Sequence, residues 1–188
     1  MRIKWFSLIR ITGLLLVLLY HFFQTIFPGG FFGVDVFFTF SGFLITSLLL
    51  EEFGKAHQID LLGFFKRRFY RIVPPVVLMV LVTMPFTFLV RQDYVAGIGG
   101  QIAGVLGFMT NFYEMLTGGS YESQFIPHLF VHNWSLAVEV HYYILWGLAV
   151  WFLSKRSKSS SQLRGMVFLL SAGAFIISFF SMFIGSLM

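Results

Sequence analysis

The sequence has no cysteine and little charge, and each scarcity excludes a class of protein. Without cysteine the chain has no disulfide, no thiolate nucleophile and no cysteine-ligated metal. Charged residues make up 11% of its 188 positions, against about 25% in an ordinary soluble domain. The phosphate-binding G-x-x-x-x-G-K-[ST] and G-x-G-x-x-G motifs and the G-x-S-x-G elbow are also absent, which argues against nucleotide hydrolysis and serine-hydrolase chemistry.

Apolar side chains are abundant. Hydrophobic residues supply 57% of the sequence, and phenylalanine alone occupies 26 positions. A soluble domain of this size leaves too much of its surface in water to hide so many apolar groups. The chain has 13 Lys and Arg against 8 Asp and Glu. The basic residues lie between long apolar runs, a pattern typical of membrane flanks rather than of nucleic-acid binding. The composition therefore predicts an integral membrane protein that binds no nucleic acid.

Five apolar runs are long enough to cross a bilayer, which takes about 20 residues. They predict an all-α membrane protein, a polytopic bundle of about five transmembrane helices, with spans at residues 8–27, 31–50, 73–90, 134–153 and 165–187. A further segment, residues 98–113, is dense in glycine. If this segment also crossed the membrane, the basic loop at residues 154–164 would lie outside the cell, whereas basic loops usually stay in the cytoplasm. We therefore expect it to be re-entrant or interfacial.

The basic residues predict the topology. Lysine and arginine cluster at the N-terminus and in residues 51–72 and 154–164. Because basic loops stay on the cytoplasmic side, all three regions are predicted to be cytoplasmic, with residues 114–133 forming an outside loop. The chain is thus expected to be a multi-pass protein of the cell membrane with a cytoplasmic N-terminus, in contact with the lipid bilayer.

Ionisable residues within predicted spans are functional hypotheses by default. Arg10 and His21 are eleven residues apart, so they share a helix face and lie about 16 Å apart along the axis. Counting from the helix ends places His21, Asp35 and Glu139 at a similar depth. An imidazole and two carboxylates suit general acid–base chemistry. The alternatives are structural: His21 as a hydrogen-bonding group between helices, and Asp35 as the cap of the second helix.

Two further pairs of residues allow more than one interpretation. Arg68 and Arg71 are three apart and form either a fork for the phosphates of an anionic ligand or an ordinary positive flank that meets anionic lipid. His128 and His132 are four apart, as in a helical metal pair. No third ligand of suitable spacing accompanies them, so no metal site is predicted.

Five strings occur in one order along nearly the whole chain. They are Arg10-x10-His21; PGGFFGVDVFF from Pro28, running on to SGFLIT at Ser41; FKRRFYRIVP from Phe65 to Pro74; Asn111-Phe112-Tyr113; and HNWSLAVE from His132 to Glu139. In order and spacing they resemble the membrane-embedded acyltransferase-3 family. The chain departs from that pattern at His141 and Gly147, where the family commonly has Gln and Pro.

The resemblance implies an enzyme that moves an acyl group, usually acetyl, from cytoplasmic acyl-CoA to a hydroxyl of a cell-envelope carbohydrate across the membrane. Acyl-CoA is then a co-substrate, and no permanently bound cofactor is implied. The implied residues are His21, Glu139 and Asp35 for catalysis; Arg10, Arg67, Arg68 and Arg71 for the CoA phosphates; and Trp134, Ser135, His132 and Asn111 for the acceptor.

The family's membrane domain usually has about twice the helices that this chain supplies. The resemblance therefore implies that residues 1–188 are the N-terminal part of such a domain, to be completed by C-terminal helices or by a second polypeptide. Two other functions stay open at this point. One is a non-catalytic membrane fragment, and the other is a proton or solute carrier, for which we expect internal repeats and find none.

Overall fold

The computed structural model describes residues 4–23, 25–89, 97–117 and 128–187, and within these ranges every regular element is helical. In the part of the chain that the structure describes, three short 3₁₀ turns lie between α-helices, at Pro28–Phe32, Thr87–Leu89 and Val131–Asn133. The α-helices are α1 (Lys4–Phe22), α2 (Gly33–Ala56), α3 (Leu61–Phe86), α4 (Ile98–Leu106), α5 (Thr110–Thr117), α6 (Trp134–Arg156) and α7 (Ser160–Leu187). The predicted all-α class is confirmed.

Within the described ranges, four helical segments are long and apolar enough to cross a membrane: Pro28–Ala56, Leu61–Phe86, Val131–Arg156 and Ser160–Gly185. The first predicted span is shorter than expected, since α1 ends at Phe22 and its apolar part is Ile11–Phe22. The four helices long enough to span extend beyond the apolar runs predicted from the sequence. Most of residues 51–72 are therefore helical rather than loop.

Residues 98–117 form two short helices in place of one long one. Helix α4 has 9 residues and α5 has 8, well below the roughly 20 that a span requires. At the junction Phe108 has a φ of 54°, a left-handed conformation that ends a helix. The break agrees with a segment that does not cross as a single helix, while its depth in the membrane stays a prediction.

The bundle has two distinct ends. Helices α2 and α3 are joined by residues 57–60 and α6 and α7 by residues 157–159, and both junctions are flanked by lysine or arginine. We call this the basic end. The opposite end, where α1 finishes and α6 begins, is the histidine end. Which side of the membrane each end faces stays a prediction.

Among the described residues, two buried apolar clusters hold α2, α3, α4, α6 and α7 together. The cluster towards the basic end joins α2, α3, α6 and α7 through Ile45, Leu49, Phe53, Ile59, Phe64, Tyr143, Val150, Leu163 and Val167. The cluster towards the histidine end joins α3, α4 and the segment before α6 through Val76, Val80, Val105 and Phe130. Leu136 of α6 packs against this second cluster, so both ends of α6 are fixed against α3.

Glycines allow α1 to cross the start of α2 at very short range. A Cβ on Gly33 would lie 2.5 Å from the backbone oxygen of Gly13, and one on Gly30 would overlap the backbone oxygen of Leu16. Real Cβ atoms do not come this close to a carbonyl, so side chains are excluded at both positions. This crossing explains Gly30 and Gly33 of the PGGFFG string, and it brings the end of α1, with His21, against α2.

Candidate active site

A cavity of about 320 Å³ lies at the histidine end between α1, the start of α2 and the start of α6. We call it the histidine cavity. Its lining includes Val17, His21, Val34, His132, Trp134 and Ser135. The imidazole rings of His21 and His132 stand nearly perpendicular, with centroids 5.0 Å apart. The two histidines come from distant parts of the sequence, and the fold makes them neighbours.

A hydrogen bond fixes the tautomer of His21. Its Nδ1 lies 2.7 Å from the backbone oxygen of Val17. A carbonyl oxygen only accepts hydrogen bonds, so Nδ1 carries a proton and donates it. Nε2 is therefore the ring nitrogen that can accept a hydrogen bond or a proton. A histidine held in this way is arranged to act as a base through one defined atom.

A second cavity, of about 210 Å³, lies between α2, α3 and α6. We call it the arginine cavity. Its lining includes Phe37, Arg68, Arg71, Leu136, Glu139 and Tyr143. On α2 the lining moves from Val34 in the histidine cavity to Phe37 in this one, and on α6 from Ser135 to Leu136 and Glu139. Three to four helical residues correspond to about 5–6 Å, so the two cavities follow one another along the same two helices.

Glu139 lies in the arginine cavity and not beside His21. Its side chain is buried, and the Tyr143 hydroxyl donates a hydrogen bond to Glu139 Oε1. Glu139 follows His132 by seven residues, about 10 Å along the helix. The Arg68 guanidinium lies 5.5 Å from the ring centres of both Tyr143 and Phe64. The structure thus groups Glu139 with a phenol and a cation rather than with the imidazole.

The arginines assigned to phosphate binding have different environments. Arg71 is exposed and lines the arginine cavity. Arg67 forms an ion pair with Glu52, 3.3 Å apart, which links α3 to α2. Arg10 lies within α1, and its side chain is outside what the structure describes. Of these side chains, that of Arg71 is the best placed for an external anion.

Asp35 and Asn111 are placed away from the histidine cavity. Asp35 lies exposed in the first turn of α2, where a carboxylate interacts favourably with the helix dipole. The N-cap of α2 is Phe32, without a side-chain cap, so Asp35 does not serve as the cap. Asn111 lies on α5, and its Oδ1 is buried with no hydrogen-bond partner in the described part of the chain. Neither residue is among those lining the histidine cavity.

Two of the acceptor-binding candidates share the cavity with the histidines. The ring of Trp134 packs 6.4 Å from that of Phe38, which holds the indole at the cavity wall. The Ser135 hydroxyl donates to the backbone oxygen of His132 at 3.3 Å. An aromatic wall and a hydroxyl beside two imidazoles form a site that can receive a polar, hydroxyl-bearing molecule.

The sequence matches a known protein family. The family profile described as acyltransferase domain matches residues 3–188, which include all the elements of both cavities. The chain belongs to the acyltransferase-3 family. No solved structure matches this acyltransferase chain.

Several named relatives are similar to the acyltransferase chain. O-acetyltransferase OatA of Staphylococcus aureus strain NCTC 8325 is 33% identical over 174 residues, covering 92% of this chain and 29% of the relative. OatA of strain MRSA252 gives the same values. The protein SACOL0978 of strain COL is 35% identical over 136 residues, 72% of this chain and 22% of that protein. The acyltransferase chain therefore spans less than a third of the length of these relatives.

Of two pairs that the acyltransferase structure shows, one follows from sequence spacing and sequence reasoning missed the other. Tyr143 bonds to Glu139 from four residues away, and residues at that spacing share a helix face. His128 does not pair with His132 but lies 2.8 Å from Glu114 of α5, with both side chains largely buried. No periodic pattern connects residues 114 and 128, so this second pair is visible only in the fold.

Proposed function

We propose that the chain is part of a membrane enzyme that transfers an acetyl group from acyl-CoA to a hydroxyl of a cell-envelope carbohydrate, across the membrane. Membership of the acyltransferase family supports acyl transfer, and the similarity to a relative named O-acetyltransferase OatA supports O-acetylation. Acyl-CoA as donor, a cytoplasmic basic end and an acceptor on the histidine side complete the proposal. The observation that carries it is that the two cavities follow one another along α2 and α6.

The arginine cavity suits the anionic part of the donor. Arg71 offers an exposed guanidinium, and charge-assisted hydrogen bonds from arginine to phosphate are strong and often bidentate. The acyl-bearing arm of the donor then runs towards the histidine end, parallel to α2 and α6. The step from Glu139 to Ser135 is about 6 Å, a distance that a flexible arm can cover.

The histidine cavity suits the chemical step. His21 Nε2 takes the proton of the acceptor hydroxyl, and the oxygen attacks the thioester carbonyl carbon. The tetrahedral intermediate collapses, the carbon–sulfur bond breaks, and the imidazolium returns its proton to the leaving sulfur. The products are the ester and the free thiol, so atoms and charge balance. Trp134 and Ser135 orient the acceptor at the cavity wall.

The carboxylates have indirect parts in this proposal. Glu139, which accepts a hydrogen bond from Tyr143, lines the same cavity as Arg68, and in this proposal its carboxylate offsets the charge of that arginine when the donor is absent. Asp35 lies in the first turn of α2, and the proposed assistance of Asp35 to His21 rests on the sequence resemblance alone.

The proposal is tested by replacing His21. Membranes containing the full-length protein are given radiolabelled acetyl-CoA and a cell-wall glycan acceptor, and label in the glycan is counted. His21→Asn is expected to lower transfer by about 10²- to 10⁴-fold, the usual contribution of a general base. His57→Asn is the matched control. It removes an exposed imidazole at the basic end, where the backbone has a φ of 52° that asparagine tolerates.

Two results contradict the proposal. Full transfer by His21→Asn, at normal abundance in the membrane, excludes His21 as the base. Glycan acetylation by the wild type that continues without any acyl-CoA excludes the donor.

A further inference from the structure

Two hydrogen bonds tie the segment that carries His132 to the short helices α4 and α5. Nδ1 of His128 lies 2.8 Å from Oε2 of Glu114 on α5. A carboxylate oxygen accepts hydrogen bonds, so the imidazole donates this one. Two residues further on, the backbone N–H of Phe130 donates to Oε1 of Gln101 on α4, at 3.3 Å. The chain is thus fixed from two helices just before it reaches His132.

Both contacts are buried. Gln101 is 1% exposed, Phe130 3% and Glu114 7%. The ring of Tyr113 packs beside that of His128, with centroids 5.6 Å apart. A buried polar group that loses its partner stays unsatisfied, whereas an exposed one turns to water. The two bonds are therefore strong constraints on where this segment lies.

Local hydrogen bonds extend the anchoring to His132. The backbone N–H of Val131 donates to the oxygen of His128 at 3.2 Å, and that of Asn133 donates to the oxygen of Phe130 at 3.0 Å. The Asn133 side chain donates to the same Phe130 oxygen, at 3.2 Å. His132 lies between these bonded residues, so its backbone has little freedom once His128 and Phe130 are fixed.

We propose that Glu114 and Gln101 are positioning residues that hold the His132 ring against His21. Neither is among the described residues that line the histidine cavity, so both act through residues 128–133 and not on the substrate. Side chains that react are held in place by such supporting hydrogen bonds. The catalytic consequence rests on the proposed function, whereas the placement of the ring is a property of the fold. The alternative is a purely structural role, in which loss of the contacts lowers stability and leaves the cavity as it is.

Cross-linking between the two histidine positions measures the placement directly. His21→Cys and His132→Cys are introduced into the full-length protein, with any cysteine outside residues 1–188 replaced by serine, since the chain itself has none. A short bis-methanethiosulfonate reagent joins the two thiols, and the initial rate is followed by mass spectrometry. Glu114→Ala and Gln101→Leu are each expected to lower this rate at least several-fold. Glu114→Gln keeps an acceptor oxygen and is expected to stay close to the reference rate.

Leu163→Ala is the control for lost stability alone. Leu163 is fully buried in the cluster towards the basic end, so its truncation leaves a void far from the anchored segment. The variant is expected to lower the melting temperature at least as much as Glu114→Ala does, and to leave the cross-linking rate unchanged. If Glu114→Ala does not insert, Gln101→Leu decides alone.

Acetyl transfer gives the second readout. With both histidines in place, Glu114→Ala is expected to lower the turnover number by up to about 100-fold, the loss expected for His132 itself. The KM for the donor is expected to stay the same, because Arg71 lines the other cavity. In a His132→Phe background, Glu114→Ala is expected to have no further effect, since a residue that acts through another adds nothing once that other is gone.

The two readouts separate the two proposals. The positioning role is refuted by unchanged cross-linking in both Glu114→Ala and Gln101→Leu, or by an equal fall in Leu163→Ala. It is also refuted if Glu114→Ala lowers transfer equally with and without His132. If the wild type transfers nothing from acyl-CoA, the proposed function fails, and slower cross-linking in Glu114→Ala still supports the placement.

Discussion

The imidazole rings of His21 and His132 meet almost at right angles with their centroids 5.0 Å apart. One ring belongs to the last turn of α1 and the other to the 3₁₀ turn that precedes α6. Any hydroxyl that enters the histidine cavity meets both. His21 is fixed by its bond to the Val17 carbonyl, and under the proposed function the second ring helps to orient the acceptor hydroxyl.

His132→Phe is expected to lower the turnover number for acetyl transfer by about 100-fold, the low end of the effect of an acid–base group. The ring shape is kept while both nitrogens are lost. Ser135→Ala is the control in the same cavity, and is expected to change turnover less than threefold, roughly the loss of one weak hydrogen bond. The measurement is the initial rate of glycan acetylation at saturating donor. Equal rates for wild type and His132→Phe would exclude the role of His132.

Arg71→Gln is expected to raise the KM for the acyl donor about tenfold or more, since a hydrogen bond to a charged group is worth about 1.5–3 kcal/mol. Thermal stability should not change, because Arg71 is exposed. Lys66→Gln is the charge-matched control. Lys66 is also exposed and on the first turns of α3, but it lines a different cavity. The two variants are compared by donor titration at fixed acceptor, and an equal rise in KM for both would indicate a general electrostatic effect instead of a site.

Gly33→Ala is expected to lower the free energy of unfolding by about 1–3 kcal/mol, as overpacking does. The added Cβ would lie 2.5 Å from the Gly13 oxygen, so α1 must move away from α2. Gly29→Ala is the control three positions before the 3₁₀ turn ends, where nothing lies within 4 Å of an added Cβ. Melting temperatures in detergent give the comparison. Unchanged melting of Gly33→Ala would mean that the close crossing is not needed for stability.

The lack of cysteine allows the orientation to be tested without background labelling. Ser159→Cys lies at the basic end and Gly29→Cys at the histidine end, and both positions are exposed. A maleimide that cannot cross membranes, added to intact cells, is expected to label Gly29→Cys and to label Ser159→Cys only after lysis. The basis is the preference of basic loops for the cytoplasm. The reverse pattern would invert the predicted topology.

The sequence predicted the class of fold and the regions that matter, but not how the polar residues are grouped. Hydropathy located the helices, because spans must be long and apolar, although it placed the end of α1 five residues too late. Depth counting put His21, Asp35 and Glu139 at one level. The depth of a residue in the membrane does not give the direction of its side chain around the helix axis. Depth alone therefore could not distinguish one shared cavity from two adjacent cavities.

By itself, therefore, the sequence determined an all-α membrane protein of the acyltransferase-3 family, because composition and ordered motifs are properties of the chain. The tertiary structure alone decided that His21 faces His132, that Glu139 lies in the arginine cavity, and that His128 pairs with Glu114. These relationships depend on the rotation and close approach of helices distant in the chain. The glycine crossing of α1 and α2 and the packing of α6 against α3 set this rotation and approach. Neither contact follows a periodic pattern in the sequence.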